Sequence, residues 1–343
     1  MSSPARTLPS VNPERVRCAI FIRTDRLGET LLNLPAMAAL RAALPRATLI
    51  ALVHEQLVPI FSSIPWIHEA IAYRPGPRSH WWLRTLRLQR RLQALRCDLA
   101  IVSNPSKELH AAVWLARIPW RVGYHRKWGG LLTHRLEDRK ALGERHEVEY
   151  NLDLVRTLGF PTELSSWKLP QWPQERTEML AMLREQGIGP AEPFIAVHPW
   201  TSNSLKQWPA ERYRALIQRI AHNPALRIVI IGGLEERRGV SDVVPADVPI
   251  VDAVGRLTLR QLAELLRMSR LLVSNDSGPV HVAAAVGTKV VALFGSAEPA
   301  SGPHRWGPWG EGHVVIWKPS MAAITVEEVC ATVQRALRMS PAA

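Results

Sequence analysis

Residues 271–295 read LLVSNDSGPVHVAAAVGTKVVALFG. The apolar runs at 271–274 and 289–295 have the length and composition of buried strands. Between them stand Asn275, Asp276, Ser277, Gly278 and Pro279, then a small-residue run from Val280 to Val286. A strand that ends in polar, turn-forming residues and passes at once into an alanine helix places those residues at a helix N-terminus. The first N–H groups of a helix lack internal partners and lie at the positive end of its dipole. The junction 275–281 is therefore a candidate anion site. Asp276 or Ser277 is expected to cap the helix, and Gly278 to let a ligand approach the backbone. His281, in the first turn, is placed to hydrogen-bond a phosphate or a ribose. Ala283, Ala284 and Ala285 allow close packing on the sheet. An Asx-type cap with a solvent-facing histidine explains any one of these residues alone; their combination favours ligand binding.

The same alternation extends outward. FIAVHP (194–199), RIVIIGG (227–233) and PIVDAVG (249–255) read as further strands, with helices over 209–222 and 258–268. RCAIFIR (17–23), TLIALV (48–53), DLAIVS (98–103) and RVGY (121–124) form an earlier set, with helices over 30–44 and 80–96. Two prolines in LPQWPQ (169–174) interrupt the pattern. Strands alternating with helices predict parallel sheets covered by helices. The expected architecture is α/β: two Rossmann-like, doubly wound lobes, 1–172 and 173–343, facing a central cleft. Ligands in such sheets bind beyond the carboxyl ends of the strands.

Composition agrees with two ordinary cores: 343 residues, 47% hydrophobic. No apolar run approaches the ~20 residues of a membrane-spanning helix. The stretch before the first strand lacks a signal peptide's apolar region and reads as a loose leader. Cys18, Cys97 and Cys330 fit neither a disulfide framework nor a zinc site, which points to a reducing, cytoplasmic setting. The formal net charge of +13 predicts an anionic partner: nucleotide, nucleic acid or acidic membrane. No nucleic-acid module is recognisable and the strands carry no stacking aromatics, so nucleic acid is not expected.

SNDSGPVHVAAAVGTKVVALFGSAEP resembles the signature of glycosyltransferase family 9, the lipopolysaccharide heptosyltransferases. IRTDRLGETLLNLPAMAALRAALPRA (22–47), RVGYHRKWGGLLTHRL (121–136) and HPWTSNSLKQWPAERYRALI (198–217) are similar to other segments of that family, in the family's order. The resemblance implies a GT-B fold with the acceptor on the first lobe and a nucleotide sugar on the second. It also implies inverting transfer without a metal or other cofactor, and the sequence shows no acidic pair resembling a metal motif. The expected donor is ADP-heptose or another nucleotide sugar, and the expected acceptor an anionic, lipid-linked sugar. The alternative class is a non-catalytic nucleotide-sugar-binding protein.

On the donor lobe, Thr201, Ser202 and Ser204 offer hydroxyls and Lys206 a positive charge where a diphosphate is expected. Positioned donors stabilise the charge that develops on such a leaving group, and the resemblance assigns this role to Lys206. Trp200 stands where many family members have glycine. Glu236, with Glu235 beside it, aligns with the family's ribose-binding acid; a carboxylate accepts both hydrogen bonds of a diol. Leu257 aligns with a residue beside the adenine. On the acceptor lobe, RTDRLGET follows the first strand. Gly28 is expected to permit a tight turn and Glu29 to open the next helix. A carboxylate there is favourable through the helix dipole alone, but it also suits a general base that takes a proton from an attacking hydroxyl. The family usually has aspartate at this place; Asp25 is the reserve candidate. Arg23 and Arg26 are placed to meet acceptor phosphates or the pyrophosphate. Residues 78–96 hold six arginines and no acid. Trp81, Leu88, Leu92 and Leu95 form their apolar stripe. With Arg126 and Lys127, this basic face suits the anionic surface of the inner membrane.

Overall fold

The structure, a computed structural model, describes residues 11–163 and 167–338. Most of the leader expected before the first strand lies outside them. The chain divides into two compact units, Met1–Ala141 with Glu147–Trp167, and Leu142–His146 with Lys168–Ala343. The first unit holds strands β1 (Cys18–Arg23), β2 (Thr48–His54), β3 (Glu69–Tyr73), β4 (Leu99–Val102), β5 (Trp120–Tyr124) and β6 (His134–Leu136). Its helices are α1 (Leu27–Leu31), α2 (Leu34–Ala43), α3 (Val58–Phe61), α4 (Trp81–Leu95), α5 (Lys107–Leu115) and α6 (Glu147–Arg156). The six strands form one parallel sheet in the order β3-β2-β1-β4-β5-β6. Central strands buried on both faces need continuous apolar sequence, which CAIFIR and LAIV supply.

The second unit holds β7 (Phe194–His198), β8 (Arg227–Ile230), β9 (Val251–Asp252), β10 (Leu272–Asn275), β11 (Val290–Gly295) and β12 (Val314–Lys318). Its helices are α7 (Pro173–Glu185), α8 (Ala210–Ala221), α9 (Val240–Val243), α10 (Leu259–Met268), α11 (Gly278–Val286), α12 (Pro303–Trp306) and α13 (Val326–Arg338). The sheet order is β12-β11-β10-β7-β8-β9. Counted within each unit, both sheets have the doubly wound order 3-2-1-4-5-6. The order reverses between β1 and β4 in one unit and between β7 and β10 in the other. Ligand sites of doubly wound sheets open at that reversal, beyond the carboxyl ends of those strands.

The proline-rich break belongs to the second unit. Leu169 N–H donates to Ala285 (2.9 Å) and Trp172 N–H to Glu264 (3.0 Å), pinning the segment to α11 and α10. The expected helix 30–44 is interrupted before α2. Pro35 has no N–H to give to the preceding turn, and buried Asn33 instead bonds the Glu29 carbonyl at 2.7 Å. The strand expected over 249–255 shortens to two residues, because Asp252 accepts Val254 N–H (2.9 Å) and Gly255 turns with φ 70°. On α4 the buried face is Thr85, Leu88 and Leu92; Trp81 leaves the expected stripe and meets Trp128 edge-on at 5.5 Å. Among the described residues no helix is long and apolar enough to cross a membrane.

Candidate functional site

In the second unit the reversal point gathers the end of β7, the end of β10 and the start of α11. Neither side chain expected to cap α11 does so. Ser277 occupies the cap position with extended backbone but makes no cap bond. Its hydroxyl lies 2.8 Å from that of Ser274 and 3.1 Å from His198 Nδ1. The Asp276 carboxylate turns to Lys206 Nζ, at 2.5 Å. The helix therefore presents an N-terminus without a side-chain cap, the arrangement that receives an anion. Burial raises the Asp276 carboxyl above its ordinary value, against the charge and hydrogen bond of Lys206. Thr201 donates to the Asp276 carbonyl at 3.2 Å. Ser202 and Ser204 lie exposed on the same loop, where Ser204–Lys206 makes a 3₁₀ turn capped by Asn203. Gly278 opens α11, partly exposed.

His281 is turned inward. It is buried, and its Nδ1 lacks a hydrogen-bond partner among the described residues. Burial above all, then the charges of His146, Lys206 and His313, takes its pKa down to about 3, so the ring is neutral. The solvent-facing histidine considered from the sequence is absent from this position.

Glu236 lies beyond β8. Its carboxylate accepts Gly233 N–H at 2.6 Å and sits 3.4 Å from His198 Nε2. Burial works against ionisation, but the His198 bond and charge and the Gly233 N–H together bring this carboxyl below its ordinary value. His198 Nδ1 lies within hydrogen-bond reach of the Ser274 and Ser277 hydroxyls, so one imidazole links β7, the loop beyond β8 and the start of α11. Glu235 is exposed beside this network. Leu257, half-buried, precedes Thr258, which caps α10 in a reciprocal capping box with Gln261. Gly255, in the turn after β9, packs on Leu234: a Cβ there would stand 3.1 Å from the Leu234 Cα. Trp200 is in the core at 7% exposure. Gly232 and Gly239 make room for it: a Cβ on either would stand 2.9 Å from the indole.

In the first unit, Arg23 ends β1 and is almost wholly buried. It donates to Asp25 (2.7 Å), Ser103 (3.2 Å) and Glu147 (3.3 Å), and Lys140 also holds Glu147 (2.6 Å). Arg23 thus fixes the β1–α1 loop from below, whereas Arg26 is exposed. Gly28 is buried inside α1 and has no left-handed backbone, so the tight turn expected there does not form. Glu29 lies in the first turn of α1, partly exposed. Burial, with Asp25 adding to it, raises its carboxyl above the ordinary value; its own backbone N–H, Arg23 and Arg26 oppose the rise. A raised carboxylate is a stronger base at neutral pH.

The sequence places Asn275 only at the start of the candidate junction and assigns no role to His198, Ser103 or Glu147. A signal existed for Asn275, His198 and Ser103. Each closes or follows an apolar strand, and a polar group buried there must find partners. Asn275 accepts from Trp208 N–H (3.2 Å) and Tyr213 O–H (3.0 Å) and donates to the Pro199 carbonyl (2.7 Å).

Two parallel sheets of Rossmann order define a GT-B fold. A glycosyl transferase family 9 structure from Veillonella parvula superposes with a TM-score of 0.85 at 22% identity, over 94% of this chain and 98% of that one. The ADP-heptose lipopolysaccharide heptosyltransferase II of Escherichia coli superposes with a TM-score of 0.78 at 22% identity, over 93% and 98%. The model of glycosyltransferase family 9 (heptosyltransferase) matches residues 85–334, and the chain belongs to that family. Lipopolysaccharide heptosyltransferase 3 of Escherichia coli is 24% identical over 304 residues, 84% of this chain and 86% of that one. The protein is a glycosyltransferase.

Proposed function

We propose that the protein transfers heptose from ADP-heptose to an anionic, lipid-linked acceptor of the lipopolysaccharide inner core, with inversion and without a metal. The observation that carries this reading is the N-terminus of α11, left without a side-chain cap, beside Lys206 and Thr201. It suits the diphosphate of a nucleotide sugar, with Glu236 accepting from the ribose diol and Leu257 against the adenine. The heptosyltransferase names of the relatives, one of which names ADP-heptose, support the donor. The acceptor hydroxyl oxygen attacks the anomeric carbon and the bond to the diphosphate breaks. ADP departs with the electron pair, and Glu29 takes the hydroxyl proton. The acceptor is held by the first unit. The protein works at the cytoplasmic face of the inner membrane, drawn there by the basic residues of 78–96 and 125–127.

The test measures donor affinity and acceptor-dependent ADP release with ADP-, UDP- and GDP-sugars. Loss of a general base costs ~10²–10⁴ in rate. Glu29→Gln should therefore lose most transfer while binding donor normally, and Glu29→Asp should keep activity. Turnover of Glu29→Gln at the wild-type rate moves the base elsewhere, with Asp25 next in line. A preference for UDP- or GDP-sugars overturns the donor, and absence of ADP release with every core acceptor overturns the transfer.

A further inference from the structure

The first unit carries an apolar groove whose lining includes none of the residues assigned above to the transfer reaction. It has a volume of about 570 Å³ and lies over α4, α5 and the segment 128–131. Trp81, Trp82, Leu86, Trp114, Leu115 and Trp128 line it, and each is more than a third exposed. These are six of the eleven large hydrophobic side chains exposed among the described residues. They form a patch, where scattered single residues are the rule for a soluble surface. No lining side chain is charged, and the Thr85 hydroxyl is turned to the Trp81 carbonyl at 2.9 Å.

Cations surround the groove. Arg90 follows Leu86 by one turn of α4, and Lys107 precedes Ala111 by one turn of α5, so each stands in line with the lining residues. Lys107 Nζ lies 5.9 Å from the centre of the Trp128 ring, and Arg87 and Lys127 are exposed nearby in the chain. The one acid on these two helices, Glu108, is buried against Arg84 at 2.8 Å. The groove meets solvent as indole rings bordered by positive charge. Tryptophan favours the boundary between headgroups and acyl chains, because its ring is amphipathic. Arginine and lysine draw such a surface toward anionic headgroups. α5 begins beyond the carboxyl end of β4, so its first turn lies at the sheet edge that also carries Glu29.

We infer that this tryptophan groove is an insertion face, which lodges its indoles at the headgroup–acyl boundary of an anionic bilayer. The inference rests on the membrane contact proposed above and deepens it from attraction to insertion. Charge alone gives binding that salt abolishes; inserted rings hold on at high salt.

The experiment uses the full chain and vesicles of phosphatidylglycerol and phosphatidylcholine in equal parts, with bromine on the acyl chains. The wild type should bind, lose part of its tryptophan emission to the bromine, and stay partly bound in high salt. Trp82→Ser with Trp114→Ser should lower partitioning by about tenfold for each indole withdrawn and remove most of the quenching. Its melting temperature and its transfer to a deacylated, water-soluble acceptor should stay unchanged. Quenching of the wild type reads insertion without any variant. Absence of quenching, binding wholly lost in high salt, or equal quenching of the double variant overturns the inference. A wild-type dimer that the double variant dissolves also overturns it, making a second copy the occupant. Quenching in a protein that transfers no heptose leaves this inference standing and removes the proposed function.

Discussion

At the scale of single residues, Lys206 and Asp276 have to be considered as a pair. Lys206 Nζ is 2.5 Å from a carboxylate whose side chain is only 10% exposed. Lys206→Ala removes a charge-assisted donor worth ~1.5–3 kcal/mol, so turnover should fall about ten- to a hundredfold. The same change leaves Asp276 buried without its partner, so it should also destabilise the fold. Adding Asp276→Asn to Lys206→Ala separates the effects. Thermal melts should show stability returning in the double variant, while turnover stays low. Wild-type turnover in Lys206→Ala would take the lysine out of the site. Lys206 was legible from its loop and from the resemblance. Its carboxylate partner was not, because the two stand seventy positions apart and meet only through the sheet.

At the scale of elements, Asn275 holds the second site's floor together. It closes β10 and binds the segment before α8 through Pro199 and Trp208, and α8 itself through Tyr213. Asn275→Ala leaves three buried partners unanswered. At ~1 kcal/mol for each, unfolding free energy should fall by about 3 kcal/mol, measured by denaturant titration. A loss below about 1 kcal/mol would show that water replaces the amide. The central strands were legible because burial on both faces demands apolar runs. β3, β6 and β12 were not, since edge strands are short and partly exposed and their sequences lack that demand. The break before α2 was also missed, although Pro35 carries its cause.

For the whole molecule, each unit encloses a histidine that folding keeps neutral. Burial, helped by Lys127, lowers the His110 pKa to about 4 in the first unit, and His281 stands at about 3 in the second. Both folded values lie below the unfolded one of ~6.5. Above that pH neither group affects stability. As pH falls from ~6.5 the unfolded chain takes protons that the folded chain refuses, so stability declines until the folded values are reached. Between pH 7 and pH 5 each histidine should cost about 2 kcal/mol. Denaturant titrations across that range should show the decline, and His110→Leu should flatten the share carried by the first unit. A wild type and a His110→Leu protein with parallel pH profiles would remove His110 from this account.

The sequence by itself determined the class of the molecule. Strand–helix alternation and apolar runs bounded by turn residues are local properties, and they dictate doubly wound parallel sheets. The residues of the second unit's site were legible for the same reason: SNDSG, HPWTSNSLK and GGLEE each end or follow a strand. Tertiary structure alone decided what those side chains face. It took Ser277 from its expected cap to Ser274 and His198, Arg23 into a buried network with Glu147, and Trp81 out of the core stripe into an open groove. Each outcome depends on partners distant in the chain. A buried polar group is settled by whichever complementary group the fold brings within hydrogen-bond reach, and no local pattern carries that information.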